Sequence, residues 1–177
     1  MDNGASSYRR FLDGDESAFD EIISEYRSGL TFFINRFVSD AFAAEDIAAD
    51  VLVELIVHPK RYDFRTSLKT YLFMLGRSRA IDYVRRRKRV EMTELDFELA
   101  GDDEVEKKVL DDERKRSLND AMTSLNEEMR IAVHLVYLEG LSYKEAAKIM
   151  RKSTKQIDNL LFRAKKELRS MLGGELL

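Results

Sequence analysis

A single proline, Pro59, interrupts 177 residues, and on both sides of it apolar side chains recur every third or fourth position. That pairing confines the chain to helices, because a sandwich or barrel of this length needs more turn chemistry than one proline and eight glycines supply. Phe11, Phe19, Ile22, Ile23 and Tyr26 fall at helical spacing, and Leu30, Phe33, Ile34 and Phe37 repeat it after Gly29, which predicts two packing helices. A third begins near Ser39 or Asp40, turns Ile47, Val51, Leu52 and Leu55 inward and stops at His58, since proline disfavours a helical residue before it. A fourth, capped by Thr66 or Ser67, runs from Leu68 to about Arg89. The fold class is all-α: an N-terminal helical bundle over 8–90, an acidic linker over 91–112, and a C-terminal helix-turn-helix domain over 113–172.

Charge is segregated along this helical chain. The formal net charge is only −3, yet residues 13–54 carry eleven acids against two arginines, and residues 60–89 carry eleven bases against two aspartates. The sign then reverses twice more. Residues 91–113 hold eleven acids against Lys107 and Lys108, and residues 114–177 hold thirteen bases against eight acids. Basic blocks suit a polyanion, and acidic blocks suit a basic protein surface, so the map implies more than one partner.

The C-terminal part carries the more specific element. Ser142 caps a short helix whose Ala146, Ala147, Ile149 and Met150 face inward, Arg151-Lys152-Ser153 makes the turn, and Thr154 caps a second helix through Arg169. Ile157, Leu161, Ala164 and Leu168 must then face the core. Ser153, Thr154, Lys155, Gln156, Asn159, Arg163 and Lys166 remain at the start or on the outer side, a set suited to phosphates and base edges. Any amphipathic helix has a polar outer face; the short turn and the small residues between the helices tip the reading toward DNA.

The basic run Arg85 to Arg89 says little by itself. Before it, Arg79, Tyr83 and Arg86 form one stripe at i, i+4 and i+7, an aromatic ring between two guanidinium groups. The preceding loop adds Arg61, Tyr62, Phe64, Arg65, Thr66 and Ser67, a mixture able to stack on and hydrogen-bond a base swung out of a duplex. For Tyr71, and as an alternative for Phe64, the bland reading is a place in the core.

These residues resemble the sigma factors of bacterial RNA polymerase, in particular the two-domain extracytoplasmic-function type, over roughly residues 10–172. The matching motifs are Ala44-Glu45-Asp46-Ile47, Phe64, Tyr71-Leu72, Gly76-Arg77-Ser78 and Asp82-Tyr83-Val84-Arg85-Arg86. The second block adds Leu138-Glu139-Gly140-Leu141-Ser142-Tyr143-Lys144-Glu145-Ala146-Ala147 and Arg163-Ala164-Lys165. The resemblance implies that Glu45, Asp46, Asp50 and Glu54 dock on core RNA polymerase, on its largest subunit, with the second-largest subunit also a partner. It further implies that Arg61, Tyr62, Phe64, Arg65, Thr66, Ser67, Ser78, Arg79, Tyr83, Arg86 and Arg87 hold the minus-ten element of promoter DNA, and that the second helix of the helix-turn-helix reads the minus-thirty-five element. An anti-sigma factor is a further partner the resemblance allows. Four positions depart from the family pattern: Ala49, Tyr71, Ser78 and Arg151.

Other classes fit less well. There is no cysteine, so thiolate metal sites and cysteine nucleophiles are ruled out, and His58 and His134 stand in no ligand-spaced motif. No catalytic residue, metal or cofactor is expected. A stand-alone operator-binding regulator would need a dimer face and a sensor, and a helical adaptor would leave the basic stripe unexplained. Without an apolar run of eighteen residues or a leader-like N-terminus, the expectation is a cytoplasmic protein with no membrane insertion.

Overall fold

The computed structural model describes residues 3–94 and 121–172. Within them the elements are α1 Asn3–Leu12, α2 Ser17–Val38, α3 Ala41–Val57, a 3-10 turn Pro59–Arg61, α4 Leu68–Glu94, α5 Glu127–Val133, a π-turn His134–Leu138, α6 Tyr143–Met150 and α7 Thr154–Leu172. The linker from Leu95 and the C-terminal domain up to Asp120 lie outside the described residues.

Local chemistry sets most helix ends. Asp40 Oδ1 accepts from the backbone N–H of Ala43 at 3.0 Å and starts α3. Ser67, rather than Thr66, caps α4, its Oγ accepting from Thr70 N–H at 3.2 Å. Ser142 and Glu145 form a reciprocal capping box on α6. Ser153, one residue before the expected Thr154, does the same for α7: its Oγ accepts from Gln156 N–H, and Gln156 Oε1 accepts from Ser153 N–H at 2.7 Å.

Two expectations need correcting. No break occurs near Gly29: α2 runs through it as one 22-residue helix, and the chain turns instead at Asp13–Glu16, where Gly14 adopts φ +100°. Tyr26, Leu30, Phe33 and Ile34 are buried on both sides of Gly29. Burying each such side chain contributes about 1.5–3 kcal/mol, which outweighs the roughly 1 kcal/mol a helical glycine costs. The fourth helix also passes Arg89 and is helical through Glu94, the last described residue of this domain, because no glycine or proline intervenes to stop it at Arg89.

In the N-terminal bundle Tyr8, Ile22, Leu30, Phe33, Ile34, Leu55, Leu68, Leu72 and Phe73 are fully buried, and in the C-terminal domain so are Leu125, Met129, Leu135, Ile157 and Leu161. The two sets belong to one contiguous apolar cluster. The turn between α6 and α7 is strained: Arg151 occupies the left-handed region at φ +54° and ψ +46°, where a Cβ is disfavoured. Its side chain is exposed. Arg151→Gly should therefore stabilise the protein by about 1 kcal/mol and raise Tm by roughly 2–4 °C; an unchanged or lower Tm in a thermal melt would show that the turn carries no such strain.

Candidate nucleic-acid and docking interfaces

Helix α3 is amphipathic in an unusual way. Ala44, Ile47, Ala48, Val51, Leu52 and Leu55 are buried, while Glu45, Asp46, Ala49 and Asp50 are exposed on the outer face. Phe42, 84% exposed, and Val53 bring apolar surface to that outer side. Sequence reasoning missed both, although each is a large apolar residue off the inward stripe. Beside the acids, Arg27, Thr31, Phe32 and Ala41 line a groove of about 410 Å³ rimmed by Glu45.

The fourth acid of the expected docking set behaves differently. Glu54 is only 6% exposed, and its carboxylate is clamped between Arg61 and Arg79, with Arg79 Nη2 at 2.5 Å from Oε2. Asp50 approaches the same guanidinium at 3.9 Å. Glu54 therefore belongs to an internal ion-pair cluster and offers no docking charge; Arg61 and Arg79, expected on DNA, are its partners. The signal was in the sequence: Glu54 lies i+7 from Ile47 and i+3 from Val51, on the apolar face, where a carboxylate needs partners.

Tyr62 is likewise corrected. It is 3% exposed, donates its hydroxyl to Thr66 C=O at 2.8 Å, and packs its ring on Tyr8, Phe64 and Tyr71. Tyr62 thus supports the loop from beneath and offers no free face for stacking. Phe64 rests on it at φ +60°, half-buried, with Arg9 over its ring at 4.8 Å. Arg65 is exposed and paired with Asp63 at 3.3 Å. Thr66, Ser67, Ser78 and Tyr83 are partly exposed, and Arg85 to Arg89 are exposed along α4. Tyr71 is half-buried; burial, and then Glu54, push its hydroxyl pKa up.

On α7, Lys155, Gln156, Asn159, Arg163 and Lys166 are exposed together, as the helical spacing predicted. Gln156, Asn159 and Arg163 line a shallow groove with Glu128 and Lys152, which are ion-paired at 2.8 Å. Gln156 is already engaged in the helix cap, so a base would have to displace it. Phe162, 70% exposed, stands at i+3 from Asn159 and i+7 from Lys155, an apolar residue on the polar face that the sequence reading left out.

A compact bundle with an acidic outer helix and a basic fourth helix, followed by a helix-turn-helix, defines a class of two-domain transcription initiation proteins. The family models agree: "Sigma-70 region 2" matches residues 22–90 and "Sigma-70, region 4" matches residues 115–168. The ECF RNA polymerase sigma factor SigM of Bacillus subtilis (strain 168) is 33% identical over 155 residues, spanning 86% of this chain and 93% of that protein. The RNA polymerase sigma-H factor of Pseudomonas aeruginosa is 26% identical over 166 residues, 88% and 86% of the two chains. Among solved structures, the sigma factor RpoE in its complex with the anti-sigma factor NepR from Bartonella quintana shares the fold, with a TM-score of 0.66 at 23% identity over 89% of this chain and 98% of that one. The chain belongs to the ECF family of RNA polymerase sigma factors, which recognise promoters and initiate transcription. No helix of the described residues is long and apolar enough to cross a membrane.

Proposed function

We propose that the work of promoter recognition is divided among three surfaces of this chain. The observation that carries this is the segregation of exposed charge: acids on α3, bases along α4, and polar and basic groups on α7. Glu45, Asp46 and Asp50, with Phe42 and Val53 beside them, form the docking face for core polymerase. An exposed aromatic flanked by charges suits an interface whose centre is apolar and whose rim is polar. Phe64, Arg65, Thr66 and Ser67, with Ser78, Tyr83, Arg86 and Arg87, hold the minus-ten element. Asn159, Arg163, Lys155 and Lys166 contact the minus-thirty-five element, and Phe162 is placed to meet a thymine methyl group. The domains divide at 8–90 and 113–172, the acidic 91–112 segment joining them. The protein acts in the cytoplasm, as a binding subunit rather than an enzyme. An anti-sigma factor is a further partner in this reading, since the sigma factor RpoE, which shares the fold, was solved bound to one.

Docking is tested by charge reversal. Glu45→Lys together with Asp46→Lys should weaken core binding at least tenfold while changing stability by no more than about half a kcal/mol per site, both side chains being exposed. Unaltered co-elution with core polymerase would remove α3 from the interface. Promoter reading is tested on α7. Asn159→Ala should cost roughly 1–3 kcal/mol on a promoter with an intact minus-thirty-five element. On a template already mutated there the loss should be small, and equal loss on both would make Asn159 a phosphate contact or a support for the fold.

A further inference from the structure

Two arginines stand side by side on α1, and the fold treats them differently. Arg10 holds the helix in place: its guanidinium pairs with the carboxylates of Asp15 at 2.6 Å and Glu21 at 3.0 Å, and Ser7 Oγ donates to Glu21 Oε2 at 2.8 Å. Beneath it, Tyr8 is fully buried and donates its hydroxyl to Leu55 C=O at 2.7 Å, while Gly4 packs so closely on Tyr26 that a Cβ there would overlap the ring. Helix α1 is therefore fixed to both α2 and α3. Arg9, by contrast, is exposed and has no carboxylate partner among the described residues. Its guanidinium lies 4.8 Å from the centre of the Phe64 ring.

Phe64 presents a ring that the loop props up from below. Its backbone lies in the left-handed region at φ +60°, where a bulky aromatic residue is strained, and such strain persists at ligand clamps because the surrounding packing imposes it. Tyr62 and Tyr8 support the ring, with centroids 4.6 and 6.0 Å away. Tyr62 is in turn braced by Tyr71 at 5.1 Å and by its hydroxyl on Thr66 C=O. Tyr8 and Tyr62 are buried and cannot leave; of these three neighbours of the ring, Arg9 alone is exposed. The ring is thus a supported platform whose cover is one flexible side chain.

An unstacked base needs an aromatic face to lie on, and a guanidinium plane stacks on the base in turn while its N–H groups reach phosphate oxygens. Arg65 is the nearest arginine in sequence, but its guanidinium is turned to Asp63 at 3.3 Å. That leaves Arg9 as the arginine on the ring. At 4.8 Å no base fits between Arg9 and Phe64, so entry of a base lifts the Arg9 side chain away. We propose that α1 completes the minus-ten site: an unpaired base stacks on Phe64 in the place Arg9 holds in the free protein, and the Arg9 guanidinium closes over its outer face. The base is held by its π-face, whichever base it is. The proposal rests on the assignment of this loop to the minus-ten element given above, and adds Arg9 to it.

The test compares Arg9→Ala and Arg9→Lys with Phe64→Ala, each as the full chain assembled with core polymerase, on forked promoter DNA whose minus-ten element is single-stranded. Arg9→Ala should weaken binding of this template about tenfold, in the range of one stacked base. Arg9→Lys keeps the charge without the plane and should recover only a small part of the loss. An abasic site introduced at each minus-ten position in turn locates the base: at the captured position Arg9→Ala should cost nothing further. Because Arg9 is exposed, helicity and Tm should stay those of the unsubstituted protein. Unaltered fork binding by Arg9→Ala, recovery of most of the loss by Arg9→Lys, a loss that persists at every abasic position, or one matched by a loss of helicity would overturn the stacking role. If Phe64→Ala weakens fork binding and Arg9→Ala does not, the failure is confined to α1. If neither does, the assignment of the loop to the minus-ten element fails with it.

Discussion

Arg79→Ala should destabilise the N-terminal domain by about 2–3 kcal/mol, a large effect for a residue that reads in the sequence as a DNA contact. Removing one partner of a buried ion pair typically costs about 3–5 kcal/mol, because the remaining charge stays in a low-dielectric site. Two features place the expected loss below that range. Arg61 still faces Glu54 after the substitution, and the Arg79 side chain is 35% exposed, so water screens part of the interaction. A double-mutant cycle separates the structural role from a functional one. In a Glu54→Leu background no buried carboxylate is left to strand, and Arg79→Ala should then cost under about 1 kcal/mol. Urea midpoints followed by far-ultraviolet circular dichroism measure both. If Arg79→Ala shifts the midpoint equally in the two backgrounds, the Glu54 cluster does not hold α3 to α4 as described.

Acidification should loosen the packing around His134. Burial is the main cause of its low pKa, about 4 against 6.5 for a free imidazole; Glu139 raises it, and Arg36 and Lys69 lower it further. The packed state therefore binds this proton less well than the open or unfolded chain. Its full stability is present above pH 6.5 and is lost progressively as pH falls from there toward 4. Over that window the loss amounts to about 3 kcal/mol, at 1.36 kcal/mol per pKa unit. The groups facing the ring are Phe32, Phe33 and Arg36 from α2, Lys69 from α4, and Glu139 from its own domain. His134→Leu keeps the apolar contact and removes the titration. Thermal melts of both proteins between pH 7.5 and 4.5 should diverge, the His134 protein losing stability faster; parallel pH profiles would refute the assignment.

Much of the architecture is legible without coordinates because it rests on short-range rules. The Asp40 and Ser142 caps and the stop before Pro59 each follow from residues within a turn of the element they bound. The exposure of Asn159 and Arg163 follows from helical period alone. Where period and local propensity disagreed, as at Gly29, the buried stripe won, since apolar burial contributes more than a glycine costs.

The site was legible as charge but not as direction. Blocks of acid and base along the chain implied docking and polyanion surfaces, yet Glu54, Arg61 and Arg79 turn toward one another, and Tyr62 lies under the loop it was expected to form. Sequence by itself determined the all-helical class, most of the apolar inner faces and the family. Only the tertiary structure decided which charges are spent inside the fold and how the two domains meet. Those contacts join residues 75 and 78 positions apart, a separation at which no helical period or capping rule links one side chain to another, so their pairing depends on how whole helices pack.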